Sequence, residues 1–168
     1  AIKDVAPDFD NDPIAEQYTH ELYAGTNENM ILTIFPAKKN GVLVGAAVES
    51  LTRKGFGGEI SIMVGFNADG SIRNYQVLKH AETPGLGSKM QEWFRTDKNH
   101  QSILGLNPGK GEMKVSKDGG NIDAITAATI SSRAFIDAIQ NAYRAFMGEP
   151  DVHSAASPKA NQNKEEKK

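Results

Sequence analysis

Three short segments of the 168-residue sequence concentrate glycine and small hydroxyl side chains between well-patterned stretches: Gly55-Phe56-Gly57-Gly58, Glu82 to Gly87, and Asp123 to Thr129. Loops of this kind let a ligand approach the backbone closely. The third is the most informative, because it sets Thr126 and Thr129 just before an amphipathic stretch. The unpaired N–H groups and the dipole of a helix start favour an anion such as a phosphate there. Two plainer readings stand beside this one. Gly-rich loops are often only turns, and Thr129 or Ser131 is of a type that commonly caps a helix. Residue type alone does not separate a cap from an anion site.

Other candidates carry less chemistry. Lys89 and Arg133 are within reach of such a phosphate in sequence, yet surface cations are usually just solvated. Trp93, beside Phe94, reads as core rather than as a stacking platform, and His80 reads as a polar residue at a strand end. The four histidines are scattered without metal-ligand spacing. Cysteine is absent, which removes disulfides, thiolate nucleophiles, Fe–S ligation and thiolate zinc sites together. The 19 basic and 21 acidic residues nearly balance, so no nucleic-acid surface is announced. Apolar runs such as residues 41–48 fall well short of the roughly 20 residues that span a bilayer.

The elements that must position these loops follow from periodicity. Asp12-Pro13 reads as a helix start, with a short helix to about Ala24 stopped by Gly25. From Met30 the pattern turns to strands: Ile31 to Phe35, an Asn40-Gly41 hairpin turn, and Val42 to Val48. A loop over 52–58 leads to Glu59 to Phe66, where Ile60, Ile62, Val64 and Phe66 alternate as in a half-buried strand. A turn at 67–70 precedes a strand from Ser71 to His80, with Ile72, Val77 and Leu78 as core candidates. A short helix capped by Ser88 and a short strand at Met113 to Ser116 follow. Phe135, Ile139, Ala142 and Phe146 then mark a long amphipathic helix that starts at Thr129 or Ser131 and ends at Gly148. The set predicts an α+β fold: an antiparallel sheet of at least four strands, packed by a long C-terminal helix and shorter helices. Residues 1–12 read as a polar stalk, 13–148 as one domain, and 149–168 as a charged tail with too few apolar groups to order.

The run Lys117 to Ala134, containing Asp123-Ala124-Ile125-Thr126-Ala127-Ala128-Thr129, occurs together with His80-Ala81-Glu82-Thr83-Pro84-Gly85-Leu86-Gly87 upstream. Together they closely resemble the FMN-binding domain found in the G-type subunit of Rnf-type ion-translocating electron-transport complexes. More distantly, they resemble the C-type subunit of the sodium-translocating NADH:quinone reductase. The likeness runs in order from about Ala15 to Met147, and the joint occurrence of both motifs makes it specific.

The resemblance implies an electron-relay flavoprotein subunit with FMN joined by a phosphoester to a threonine, moved there from FAD by a flavin transferase. On the family's pattern Thr129 is the acceptor, Thr126 the first hydroxyl position, Asp123 the leading acid and Ala128 the small residue before the acceptor. Ala127 departs, standing where the pattern has glycine, and a positive φ at that site would strain it. By the same analogy Gly85, Leu86 and Gly87 would lie against the isoalloxazine ring. Glu82 and Thr83 would meet its edge, and Gly57 and Gly58 would form another wall. The family further implies other complex subunits as partners, a membrane-spanning helix ahead of residue 1, and a place on the periplasmic side of the inner membrane. Two alternatives remain at this level: a module that holds FMN or another phosphate ligand noncovalently, and a flavin-free interaction domain in which Thr126 and Thr129 act only as caps.

Overall fold

A computed structural model describes residues 1–148. Five antiparallel strands form one meander in sequence order: β1 (Tyr18–Leu22), β2 (Met30–Lys39), β3 (Val42–Gly55), β4 (Gly58–Asn67) and β5 (Ile72–Lys79). Two short helices, α1 (Ile2–Val5) and α2 (Met90–Trp93), and a long one, α3 (Thr129–Met147), complete the architecture. This is the expected α+β fold. The β2–β3 turn is the Asn40-Gly41 pair, and both residues adopt the positive φ (53° and 80°) that a tight hairpin demands. The tail at 149–168, expected to lack order, lies outside the described residues.

Alternation along β4 sends Ile60, Ile62, Val64 and Phe66 to one face, all fully buried. There they meet α3, whose Phe135, Ala138, Ile139 and Ala142 repeat at helical spacing. Phe135 is the pivot: it stacks on Phe94 at 4.5 Å between ring centres and takes Tyr75 edge-on at 4.8 Å. Polar anchors fix how α3 sits along β3. Ser50 Oγ donates to the Ala138 carbonyl at 2.8 Å, Thr52 Oγ to Asp137 at 2.8 Å, and Asn141 Nδ2 to the Leu51 carbonyl at 3.2 Å. The helix ends on Gly148, which is left-handed at φ 67° and returns its N–H to Ala145 and Arg144.

Several local expectations are corrected. The helix expected over 13–24 is a single turn at residues 13–16 followed by β1, because Leu22 buries against the core and 18–22 pair with 30–34 of β2. Strand β3 runs on to Gly55, so the loop expected at 52–58 shrinks to Phe56-Gly57. Leu78 is 39% exposed rather than core, lying near the end of the edge strand β5. Ser88 does not cap a helix; its hydroxyl accepts the Gly85 amide at 3.0 Å, and α2 starts only at Met90. The strand expected at Met113 to Ser116 is reduced to one parallel bridge, Val115 with Ile122.

The first residues fold back over the sheet face opposite α3. Val5 and Ala6 bury against Phe35, Ala37, Ala47 and Met63. Asn74 Nδ2 donates to the Asp4 carbonyl, and Asn11 both donates to the Pro36 carbonyl and accepts the Lys38 amide. Gly65 makes this approach possible, since a Cβ there would fall 1.8 Å from the Val5 carbonyl oxygen.

Candidate functional site

The two glycine-rich loops and the threonine-bearing segment Asp123 to Thr129 converge at the N-terminus of α3. Ala128 occupies the N-cap position and brings no side-chain hydrogen bond, while Thr129 is the first helical residue. Thr129 is therefore not a cap. The amides of Thr129, Ile130 and Ser131 have no backbone acceptor among the described residues, as the geometry of a helix start dictates. Thr129 is half-buried, and its hydroxyl likewise has no hydrogen-bond partner among them.

Ahead of the helix the chain makes a sharp turn. Ala127 stands at φ 62°, in the left-handed region that glycine adopts freely and alanine at a cost of about 1–2 kcal/mol. The strained turn is held by Ser132, whose hydroxyl accepts the Ile125 amide at 2.9 Å and donates to the Ala128 carbonyl at 2.9 Å. Further back, the Asp123 carboxylate accepts the His100 amide and the Ser116 hydroxyl, both at 3.1 Å. Trp93 Nε1 donates to the Asp123 carbonyl at 2.8 Å. Trp93 is thus partly buried packing, as its sequence context suggested.

Thr129 opens into a cleft of about 370 Å³. Phe56 forms one wall; Thr83, Leu86 and Gly87 form another; Ala127, Ala128, Ile130 and Ser131 flank the threonine. Phe56 is 69% exposed and Ile130 50% exposed, so two large apolar side chains stand at the mouth with nothing covering them. A cleft of this size, apolar on its walls and with free amides and a hydroxyl at one end, falls within the range of small-ligand sites.

Glu82 lies beneath the cleft rather than in it. Only 4% exposed, its carboxylate accepts the amides of Phe56 and Gly57, each at 2.9 Å, and the Ser131 hydroxyl. Both oxygens are thus committed to protein donors, which is a different place from the ligand edge the sequence suggested. Close packing surrounds this knot: a Cβ on Gly57 would fall 2.0 Å from the Ala81 carbonyl oxygen, and one on Gly87 2.4 Å from Ser131 Oγ. Gly57, Gly58, Gly85, Asp123 and Thr126 do not line the cleft, although Thr126 is exposed one turn before it. Neither does Lys89, nor Arg133, which forms a two-pronged pair with Asp118 at 2.7 Å on each arm. That pair lines a second hollow of about 430 Å³, which shares Ile130 with the cleft. The Arg133 hydrogen bond and charge hold the Asp118 carboxyl below the ordinary carboxylate range.

Sequence reasoning placed Phe56 in a candidate loop without giving it a role and read Ser131 only as a possible cap, and it missed Ile130 and Ser132 as parts of the site. Phe56 was signalled by an aromatic residue between glycines in a turn, where it has no core to join. The two serines were signalled only by being small hydroxyl residues inside the first turn of a helix, where such residues usually bond backward to the chain.

Fold and site together define an α+β domain in which the start of a long helix opens, through a free hydroxyl, into a cleft with apolar walls. Residues 55–144, more than half of the chain, match the FMN-binding domain model, and the chain belongs to that family. Among curated proteins it is similar to the G-type subunit of the ion-translocating oxidoreductase complex of Aliivibrio fischeri, 35% identical over 139 residues that cover 76% of this chain and 65% of that protein. It is similar to the subunit of the same name in Yersinia pestis, 35% identical over 141 residues, covering 82% and 66%. A third such protein, from Vibrio parahaemolyticus, is 40% identical over 116 residues, covering 62% and 50%. The chain thus spans about half to two-thirds of the length of these relatives. No helix among the described residues is long and apolar enough to cross a membrane.

FMN, the ligand the family implies, fits what is present. The hydroxyl of Thr129 and the open amides of the first helical turn suit a phosphate, and Phe56, Leu86 and Ile130 supply apolar surface for a ring system.

Proposed function

We propose that the chain carries FMN covalently, as a phosphoester on Thr129, and serves as an electron-relay subunit of an ion-translocating oxidoreductase complex. The observation that carries this reading is the Thr129 hydroxyl itself, free of any described partner, at the first position of α3 and open to the cleft. The relatives' shared name supports the setting in a complex, with the other subunits as partners. The same reading puts the domain at the periplasmic face of the inner membrane.

Attachment balances as a phosphoryl transfer from FAD in the presence of a flavin transferase. A bond forms between Thr129 Oγ and the FMN phosphorus, the pyrophosphate linkage of FAD breaks, AMP leaves, and the hydroxyl proton is released. The product is a diester with one negative charge, which the amides of the first α3 turn are placed to receive. The bound flavin supplies the redox chemistry. The protein's part is to hold it: Leu86 and Gly87 from one loop and Phe56 from another bound the cleft, and their apolar surface excludes water from one side.

The test is to incubate the chain with a flavin transferase and FAD, denature it, and map the fluorescent peptide. Flavin retained on the peptide containing Thr129, and lost in Thr129→Ala, is the expected result. Flavin on another residue, or colour that leaves with unfolding, overturns the reading.

A further inference from the structure

Glu82 has no role in the chemistry above, yet it is the one carboxylate, among the described residues, buried at the meeting point of all three loops. It accepts from the Phe56-Gly57 turn, belongs to the Glu82 to Gly87 segment, and receives the hydroxyl of Ser131, two residues after the acceptor. Three donors on two oxygens satisfy a carboxylate that burial would otherwise make costly. The glycines beside it, Gly57 and Gly87, leave no space for a side chain: a Cβ on Gly57 would fall 3.2 Å from Glu82 Oε2 and one on Gly87 2.8 Å from Glu82 Cβ. Cutting this knot would release the aromatic wall from the helix that bears the acceptor.

We infer that Glu82, acting through Ser131, is a positioning residue for flavin attachment: it fixes the first turn of α3 so that the Thr129 hydroxyl faces the cleft. This rests on the covalent reading of Thr129. Ser131 is the third residue of the helix, so its side chain reports the rotation of the turn that carries Thr129 two positions earlier. Its hydroxyl is spent on Glu82 and is not a donor held for the phosphate. The carboxylate does not touch the transferred group. Its effect passes through the helix.

A positioning role predicts a loss in the rate of attachment at saturation rather than in binding of the domain to the transferase. Such misplacement is felt in the step that needs alignment. Glu82→Gln keeps the shape but presents an amide NH2 to a backbone N–H. Ser131→Ala leaves the turn bonds and removes only the link to the helix. With the whole chain as the varied substrate, FAD and a flavin transferase, both variants are expected to attach flavin about tenfold or more slowly in kcat, with KM little changed. The double variant should be no slower than Glu82→Gln alone, because Ser131 acts only through the carboxylate that this change has already replaced.

Ser50→Ala is the control, since it removes a different buried serine bond to the same helix, at Ala138. It should lower thermal stability while leaving the attachment rate unaltered. Attachment by Glu82→Gln and Ser131→Ala at the wild-type rate overturns the positioning role, as does an equal slowing by Ser50→Ala. If wild type itself acquires no flavin at Thr129, the covalent reading fails first and this inference falls with it; normal wild-type loading with unaffected variants removes this inference alone.

Discussion

Ser132 reaches back seven residues to Ile125: its hydroxyl accepts the Ile125 amide at 2.9 Å, while the same oxygen donates to the Ala128 carbonyl. One buried side chain therefore closes the turn that delivers Thr129 to the helix. Ser132→Ala leaves the Ile125 N–H buried without a partner, which costs about 1–3 kcal/mol. Urea denaturation should show that loss, with the slope of the transition unchanged.

Ala127 supplies the opposite expectation. At φ 62° alanine bears about 1–2 kcal/mol of strain, and glycine there would lose about 0.5–1 kcal/mol to its freer unfolded chain. Ala127→Gly should therefore stabilise the fold by roughly 0.5–1 kcal/mol in the same measurement. A destabilised variant would mean that the turn is not strained.

At the acceptor, Thr129→Ser keeps a hydroxyl and should still take up flavin, more slowly, whereas Thr126→Ala should weaken uptake without abolishing it. Thr126 is exposed and lies outside the lining of the cleft, so its loss removes no nucleophile. In-gel fluorescence after denaturation compares the variants directly. Uptake abolished by Thr126→Ala and spared by Thr129→Ala would exchange their roles.

Phe56 is 69% exposed, so Phe56→Ala should leave the stability of the flavin-free chain within about 0.5 kcal/mol of wild type. In the flavin-loaded chain the same change should lower the melting temperature, because the ring then loses an apolar wall. Equal effects on both forms would show that Phe56 does not face the flavin.

The Asp118–Arg133 pair gives a pH dependence. The Asp118 pKa is lowered in the folded state, first by its hydrogen bond from Arg133, so its contribution is present above the unfolded carboxyl pKa. It is lost as pH falls through the lower folded value. Arg133→Gln should thus be less stable than wild type at about pH 6, with the difference shrinking towards about pH 3 and in high salt, since the pair is exposed. A gap that widens on acidification would contradict the pairing.

Much of this was legible in the chain. Asn40-Gly41 announced its hairpin because only residues tolerant of positive φ close such a turn, and Phe135 to Phe146 announced α3 by spacing. The start at Asp12-Pro13 misled, because local capping chemistry carries no knowledge of the strand that Tyr18 to Leu22 would find in β2. Thr129 was legible as a motif and as a hydroxyl near a helix start. Glu82 was legible only as part of a loop. Its three donors come from positions 26, 25 and 49 residues away, and no local pattern records a meeting over such separations.

The bare Cα of Gly65 has a mechanical corollary. With Val5 and Ala6 seated on the strand there, the opening dozen residues act as an oilskin over Phe35, Ala47 and Met63. Clipping them away by limited digestion would lay a greasy stripe open to water, and the trimmed protein should turn self-adhesive, scattering light at concentrations where the uncut chain stays clear.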